Sequence, residues 1–210
     1  MSCQNQNTDW SQKYRPKNLD EMVLPDTFRD RLKKLFNGNN GMSLMFYGRA
    51  GAGKTTVAKL LNQNPENIIF MSCTDNSVHM VRSLENYCST VTMNGGRRTI
   101  ILDEADALKV DAQQALRGIV ERFSVNNDFI MTANDPNKLS EALRSRFYPV
   151  PFEFLASREL LLDYQCRLWE IALIEGFPEV SDDLLKVIVK HCFPDMRRMI
   201  KRLQYEITVS

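Results

Sequence analysis

The strongest constraint on the fold of this chain is a glycine-rich segment between an apolar run and a helical pattern. Residues 48–55 read Gly-Arg-Ala-Gly-Ala-Gly-Lys-Thr, after the apolar residues 42–47 and before a helical pattern at 55–61. A G-x-x-x-x-G-K-T segment that connects a strand to a helix is a phosphate-binding loop. Strand, loop and helix in this order predict an α/β fold with the loop at the carboxyl edge of a sheet.

The residue types in this loop suit the binding of phosphate groups. Its glycines let the backbone curl so that N–H groups face the phosphates, and the following helix adds the positive end of its dipole. Lys54 supplies a positive charge to the β and γ phosphates, and Thr55 offers a hydroxyl to magnesium. The segment therefore predicts a site for a nucleoside triphosphate with Mg²⁺.

Apolar runs and helical patterns alternate on both sides of this loop. The runs predict strands at 42–47, 68–71, 99–102, 129–132 and 150–154, and the patterns predict helices at 28–36, 55–61, 78–88, 112–123 and 139–143. This alternation predicts a parallel sheet with helices on both faces. Residues 1–16 show no apolar periodicity, so we expect an extended arm there.

The pattern changes after Phe154. Three helical patterns follow at 157–174, 181–193 and 195–207, and no strand pattern lies between them. Gly176-Phe177-Pro178 and Phe193-Pro194 separate the three patterns. We therefore expect a nucleotide-binding domain over residues 1–151 and a small three-helix domain over residues 152–210.

Polar residues follow two of the predicted strands. Asp103 and Glu104 come directly after the third strand, so they are delivered to the same sheet edge as the phosphate-binding loop. Asp103 is expected to hold Mg²⁺, directly or through water, and Glu104 to polarise an attacking water. Asn134 follows the fourth strand, where it could reach the γ-phosphate or that water; a plain turn former is an equally good interpretation.

Composition excludes several other classes of protein. The net charge is +1, from 27 basic and 26 acidic residues, so the chain does not coat nucleic acid by bulk charge, although a local basic patch stays open. No apolar run approaches the ~20 residues of a membrane span, and residues 1–12 do not resemble a signal peptide. The five cysteines are scattered without a C-x-x-C pair, which predicts neither a zinc ribbon nor disulfides and favours a reducing cytoplasm.

Taken together, these motifs resemble the AAA+ ATPases, and among them the clamp loaders. Residues 10–16, Trp-Ser-Gln-Lys-Tyr-Arg-Pro, resemble the W-x-x-K-Y-R-P box of replication factor C small subunits, and residues 111–117 resemble their D-A-Q-x-A-L-R stretch. Ser145-Arg146-Phe147 is similar to their S-R-C motif. Phe193-Pro194-Asp195 before Arg197, with the general layout, looks similar to the clamp-loader large subunits of T-even-type phages. The resemblance runs from about Trp10 to about Gln204.

The resemblance implies roles for individual residues at an ATP site. It implies that the adenine is covered by the following residues: Ser11, Gln12, Lys13, Tyr14 and Val23. It implies that the phosphates and Mg²⁺ are bound by these: Gly51, Ala52, Gly53, Lys54, Thr55, Thr56 and Asp103. Glu104 corresponds to the catalytic acid and Asn134 to the first sensor. Arg197 corresponds to a second sensor from the helical lid domain, and Arg146 to an arginine finger that acts on the nucleotide of a neighbouring subunit.

The same resemblance implies an ATP hydrolase that loads a DNA polymerase processivity clamp onto primed DNA. Its partners would be primer–template DNA, the sliding clamp, a clamp-loader small subunit and sister copies, in a hetero-oligomer that is a pentamer in the family. It implies no membrane partner, and for a phage protein the location would be the host cytoplasm. Arg82 corresponds to a DNA-facing position, whereas Arg97, Arg98 and Lys109 are favoured as ordinary surface residues.

One departure from the family leaves alternatives open. Clamp-loader subunits carry a third, helical collar domain, and the 210 residues have no counterpart of it. Another chain could supply the collar, the chain could be truncated, or assembly could rest on the AAA+ contacts. The chain could therefore be a non-catalytic ATP- and DNA-binding fragment or scaffold. It could also be another AAA+ remodeller such as a helicase loader or branch-migration motor, against which the motifs at 10–16 and 111–117 argue.

Overall fold

A parallel sheet forms the centre of one part of the molecule. The structure, a computed structural model, describes residues 9–37, 41–61, 65–75, 78–90 and 97–209. Within these ranges the strands are β1 (Leu44–Tyr47), β2 (Ile68–Ser72), β3 (Arg98–Asp103), β4 (Asn127–Ala133) and β5 (Tyr148–Pro151). They are ordered β2-β3-β4-β1-β5, and every pairing is parallel. The predicted α/β fold is confirmed, with strand ends shifted by at most three residues.

The helices lie close to the predicted positions, with one addition at the N-terminal end. They are α1 (Trp10–Lys13), α2 (Asp26–Asn37), α3 (Lys54–Leu60), α4 (Val78–Ser89), α5 (Val110–Phe123), α6 (Glu141–Arg144), α7 (Arg158–Ile174), α8 (Asp182–Cys192) and α9 (Met196–Val209). Short 3₁₀ turns occupy Pro65–Asn67, Cys73–Asp75, Ala105–Ala107 and Pro136–Lys138. None of the helices in the described ranges is long and apolar enough to cross a membrane.

The residues of β3 and β5 fit the positions of these strands in the sheet. Ile100, Ile101 and Leu102 of β3 are fully buried in succession. Successive side chains of a strand point to opposite faces, so both faces of β3 are covered, as an internal parallel strand requires. The edge strand β5 instead contains Pro149 and Pro151, which cannot donate a backbone hydrogen bond.

The chain divides into two compact units, which we call the sheet unit and the helical unit. The sheet unit comprises the described residues within 27–49 and 54–153. Its core is built from side chains of the sheet and of α4 and α5, among them Phe129, Leu84 and Leu116. In the sheet unit, Gly48 has φ +136°, and a Cβ on it would lie 2.7 Å from the carbonyl oxygen of Phe152. Only glycine fits at this position without a backbone shift.

The helical unit comprises the described residues up to Asp26, residues Ala50–Gly53 and the chain from Phe154 onward. Tyr164, Leu168, Ile188 and Leu203 form the centre of its core. Serine caps begin two of its helices: Ser157 Oγ accepts from the Leu160 amide, and Ser181 Oγ from the Leu184 amide. The domain limits 1–151 and 152–210 stay a prediction.

The N-terminal segment differs from the sequence expectation of an extended arm. Residues 1–8 lie outside the described residues, but residues 10–13 form α1. Trp10 is buried in the helical unit, with its ring 6.3 Å from that of Phe177. The prediction is wrong here because a helix of four residues is too short to show a periodic pattern. It forms because Trp10 is buried and because the Asp9 carboxylate accepts from the Ser11 amide at 2.9 Å.

Candidate nucleotide site

The glycine-rich loop connects β1 to α3 in a backbone conformation that depends on glycine. Gly51 and Gly53 both have positive φ angles, +73° and +95°. Within the helical unit, a Cβ on Gly51 would overlap the Asp195 carboxylate, whose Oδ1 would lie only 1.8 Å away. The positive φ angles also match the curled backbone that turns N–H groups toward one point, which is the property of an anion-binding loop.

Lys54 is the first residue of α3, and its ammonium is almost fully buried. The side chain is 7% exposed. Its Nζ donates to Gly48 O at 2.7 Å, Arg49 O at 2.9 Å and Asn134 Oδ1 at 2.9 Å. A buried ammonium is stable only with such acceptors around it. These three acceptors are neutral oxygen atoms. A phosphate oxygen could replace one of them and would form a stronger, charge-assisted hydrogen bond.

Thr55 and Asp103 form a second part of the site, in the sheet unit. Thr55 Oγ1 donates to Asp103 Oδ1 at 2.7 Å, so the start of α3 and the end of β3 meet. A hydroxyl and a carboxylate are hard oxygen donors, and Mg²⁺ is usually bound by one or two protein ligands together with substrate phosphates. Among the described residues, no group of three or more His, Cys, Asp or Glu side chains is placed to hold a metal ion. The two oxygen donors of Thr55 and Asp103 fit Mg²⁺ that arrives with a nucleotide.

Glu104 directly follows β3 and has an unusual backbone conformation. Its φ of 56° and ψ of 46° lie in the left-handed region, which non-glycine residues rarely adopt. Its amide donates to Thr132 Oγ1 at 3.0 Å, and the same hydroxyl donates to Asp103 Oδ1 at 2.7 Å. Sequence reasoning missed Thr132, although a polar residue inside the otherwise apolar run 129–133 was a signal that could have found it.

Asn134 follows β4 and lies at the same edge of the sheet. Its Oδ1 accepts from Lys54, and the amide of the next residue, Asp135, donates to Asp106 Oδ2 at 3.2 Å. The residues after β3 and β4 are therefore joined by side-chain bonds. The structure brings five predicted site residues together in the sheet unit: Lys54, Thr55, Asp103, Glu104 and Asn134.

The residues predicted to cover adenine belong to the helical unit. Lys13 Nζ and Tyr14 Oη donate to the same oxygen of Glu175, at 2.7 and 2.6 Å. Burial alone would raise the pKa of Glu175, but these two hydrogen bonds and the Lys13 charge lower its pKa overall. Burial, followed by the bond to Glu175, raises the pKa of Tyr14. Gln12 is exposed, while Ser11 and Val23 are partly buried.

The predicted arginines lie in different surroundings. Arg146 follows α6, forms an ion pair with Glu121 of α5 and donates to the carbonyl oxygen of Ala142. Arg197 lies exposed in the first turn of α9 in the helical unit. Arg82 is exposed on α4 in the sheet unit.

Arg97 and Arg98 have structural contacts that the sequence did not reveal. Arg97 donates to Ser124 O and Asn127 O, at 2.8 and 3.0 Å, and forms an ion pair with Asp128. Arg98 donates to the carbonyl oxygen of Thr90 at 3.0 Å. Both guanidinium groups thus bind carbonyl groups that follow helices α5 and α4, where helix ends leave acceptors unsatisfied. These contacts give both arginines a structural role in the sheet unit.

Comparison with known proteins identifies similar sequences and folds. Residues 44–151 match the family model "ATPase family associated with various cellular activities (AAA)". The chain is 35% identical to replication factor C small subunit 2 of Pyrobaculum aerophilum, an alignment that covers 96% of the chain and 64% of that protein. It is 35% identical to the replication factor C small subunit of Natronomonas pharaonis, covering 93% of the chain and 61% of that protein.

The chain thus spans less than two thirds of the length of these curated relatives. Among solved structures, it is similar to the Thermotoga maritima RuvB Holliday junction branch migration motor, with a TM-score of 0.71 and 20% identity over 92% of the chain and 65% of that structure. At this level of identity, the likeness concerns the fold alone.

Proposed function

The chain belongs to the AAA family of ATPases, a family of ATP hydrolases, and we propose that it acts as an ATPase subunit of a sliding-clamp loader. In this role it uses ATP binding and hydrolysis to place a polymerase processivity clamp on primed DNA. The observation that carries the proposal is 35% identity to replication factor C small subunits across 96% of the chain. That likeness extends through both the sheet unit and the helical unit.

The contacts at the sheet edge support a division of labour for hydrolysis. Lys54 binds the β and γ phosphates, with backbone N–H groups of Gly51, Ala52 and Gly53 and the start of α3 at Thr55 and Thr56. Mg²⁺, held by Thr55 and Asp103, would neutralise charge on the phosphate oxygens. Glu104 orients the attacking water and accepts its proton. Asn134, already bonded to Lys54, orients the γ-phosphate or the water.

The remaining roles depend on the nucleotide and on neighbouring subunits. Ser11, Gln12, Lys13, Tyr14 and Val23 are proposed to cover the adenine, and Arg197 to contact the γ-phosphate. Arg146 is proposed to act on the ATP of a neighbouring copy, where an arginine finger is worth roughly 10³ to 10⁵ in rate in other phosphoryl-transfer proteins. Hydrolysis would then be a property of the assembly rather than of one chain.

The proposed partners are primer–template DNA, a sliding clamp, a clamp-loader small subunit and sister copies of the chain. Contact with DNA would involve mainly backbone phosphates, with Arg82 as one contributor. A phage-encoded loader that works in the host cytoplasm is one specific form of this proposal. That form rests on the resemblance of Phe193-Pro194-Asp195 and Arg197 to phage clamp loaders, and the replication factor C relatives add nothing to it.

The test is steady-state ATP turnover by the purified chain with its candidate small subunit and clamp, with and without primer–template DNA. A clamp loader is expected to show a strong rise in turnover when both clamp and DNA are added. Bound ATP with a flat, near-zero rate in every mixture would instead indicate a scaffold or fragment. Stimulation by a hexameric helicase but not by a clamp would indicate a helicase loader.

A further inference from the structure

We propose that Thr132 is a positioning residue for ATP hydrolysis, whose hydroxyl holds Asp103 and the backbone of Glu104 in one fixed arrangement. The hydroxyl lies 2.7 Å from Asp103 Oδ1 and 3.0 Å from the Glu104 amide nitrogen. Thr132 is only 2% exposed, so water does not compete for these contacts. The inference rests on the ATPase site but not on the identity of the loaded clamp or of other partners.

The direction of both hydrogen bonds follows from the chemistry of the groups. A backbone amide can only donate, and an ionised carboxylate can only accept. Thr132 Oγ1 must therefore accept from Glu104 and donate its single proton to Asp103. One hydroxyl orientation satisfies both partners, so Thr132 couples the two acidic residues to each other.

The contact lies just beyond the last residue pair that joins β3 to β4. The parallel register of β3 and β4 is recorded up to the pair Leu102 and Met131. The Thr132 hydroxyl accepts a hydrogen bond from the amide of Glu104, which lies two residues beyond Leu102. Thr132 thus extends the connection between the two strands by a side chain, at the residues that carry the acidic groups.

The backbone of Glu104 needs such support because its conformation is costly. Its φ of 56° lies in the left-handed region, where an ordinary residue is disfavoured by roughly 1–2 kcal/mol. That conformation determines the direction in which the Glu104 side chain leaves the strand. The hydrogen bond from the Glu104 amide to Thr132 therefore helps to orient the Glu104 carboxylate. Thr132 itself would not contact the reacting atoms.

Asp103 is held from two sides by hydroxyl groups. Its Oδ1 accepts from Thr55 and from Thr132, both at 2.7 Å. Thr55 belongs to α3 and Thr132 to β4, so Asp103 is restrained by elements on either side of β3 in the chain. Partners that orient a metal ligand typically matter by about 10- to 100-fold in affinity or activity. The loss of Thr132 is therefore expected to lower catalysis more than nucleotide binding.

The experiment compares three variants of the full chain in the assembly with the highest ATP turnover. Thr132→Val removes the hydroxyl at nearly constant volume, Thr132→Ser keeps it, and Thr99→Val makes the same change at another buried threonine, on β3 away from the carboxyl edge. We expect Thr132→Val to lower kcat by about 10- to 100-fold. The affinity for a fluorescent ATP analogue without Mg²⁺ should stay within about twofold, since Thr132 contacts no phosphate-binding group directly.

The two controls separate positioning from stability. Thr132→Ser is expected to restore most of kcat, and Thr99→Val to lose thermal stability with kcat unchanged. A wild-type kcat in Thr132→Val would overturn the inference, as would a Thr132→Ser variant that is equally slow. A kcat loss matched by an equal loss of analogue affinity would also contradict it.

A second measurement does not depend on turnover. The ATP analogue is titrated with Mg²⁺ on the single chain. The Mg²⁺ concentration that gives half of the maximal increase in analogue binding should rise about 10-fold in Thr132→Val. An unchanged Mg²⁺ requirement would overturn the inference even if no assembly hydrolyses ATP. Absence of turnover in wild-type chain with every partner, combined with a shifted Mg²⁺ requirement, would contradict the proposed function and leave the role of Thr132 supported.

Discussion

Lys54 Nζ donates a 2.9 Å hydrogen bond to Asn134 Oδ1, across a separation of 80 residues in the chain. The contact joins the phosphate-binding loop to the end of β4. It places a positive charge and a polar amide at one edge of the sheet. A phosphate bound by the loop would meet both groups, which makes the pair a direct target for substitution.

Lys54→Met should weaken ATP binding by about 10- to 100-fold, because a hydrogen bond to a charged group contributes roughly 1.5–3 kcal/mol. Titration with a fluorescent ATP analogue measures the dissociation constant. The matched control is Lys59→Met on the same helix, where the ammonium lies 3.9 Å from the ring centre of Phe70. Lys59→Met should bind ATP as wild type does. Equal affinity of the two variants for the ATP analogue would contradict the assignment of Lys54 to the nucleotide site.

Glu104→Gln should separate ATP binding from hydrolysis. The amide keeps the shape of the side chain but cannot accept the proton of the attacking water, so we expect turnover to fall by about 10²- to 10⁴-fold. The affinity for the ATP analogue should stay within about twofold, because the substitution does not alter the phosphate-binding loop. Glu141→Gln, an exposed change at the start of α6, is the control. Unchanged turnover in Glu104→Gln would exclude Glu104 as the catalytic base.

Arg146→Ala should bind ATP normally but lower turnover of the assembly by about 10³-fold, if the side chain acts on a neighbouring copy. Arg122→Ala is the matched control, since Arg122 also forms an ion pair within the sheet unit, with Glu85.

A mixture of two inactive variants gives a sharper test of a shared site. Arg146→Ala copies retain an intact ATP site, and Lys54→Met copies retain the arginine. A mixture should recover part of the turnover that each variant lacks alone, and no recovery would argue against a shared site.

The Glu175 hydrogen bonds predict an acid-sensitive attachment of α1. The pKa of Glu175 is lowered from its ordinary value of 4.5, so the stabilisation is present above that value and is lost as the pH falls through the folded-state pKa. We expect the fluorescence of Trp10 to shift toward that of an exposed tryptophan below about pH 4.5.

A Trp169→Phe background isolates the Trp10 signal in this measurement, because Trp10 and Trp169 are the two tryptophans of the chain. Glu175→Gln should reduce the pH-dependent step, since the amide does not titrate. The Asp9 carboxylate still titrates at α1, because its hydrogen bond to Ser11 also lowers its pKa. A step of the same size and midpoint in Glu175→Gln would assign it to another group.

Replacement of two glycines by alanine should change the free energy of unfolding in opposite directions. Gly48→Ala adds a Cβ that would lie 2.7 Å from the Phe152 carbonyl oxygen at φ +136°, so we expect a loss of about 1–3 kcal/mol in the free energy of unfolding. Gly118 lies within α5 with nothing within 4 Å of the added Cβ. Gly118→Ala should therefore stabilise the chain by roughly 0.5–1 kcal/mol. Denaturant unfolding measures both, and equal effects would contradict the assigned Gly48 contact.

Much of the site could be predicted because its signals are local. The loop at 48–55 and the acids after β3 occur as short, contiguous motifs, and apolar runs located each strand within the described residues. Helix and strand ends were less certain, since capping and the last ladder bonds depend on neighbouring elements. The short helix α1 was missed because its stability comes from the burial of Trp10, which no periodic pattern records.

Local sequence patterns were thus sufficient for the α/β class, the phosphate-binding loop and the candidate acids, because each depends on residues adjacent in the chain. Folding alone established which distant groups share a hydrogen bond. Thr132 reaches Asp103 and Glu104, Asn134 reaches Lys54, and Arg97 binds the carbonyl oxygen that follows α5. These pairings depend on strand order and register, which place residues tens of positions apart within 3 Å of each other.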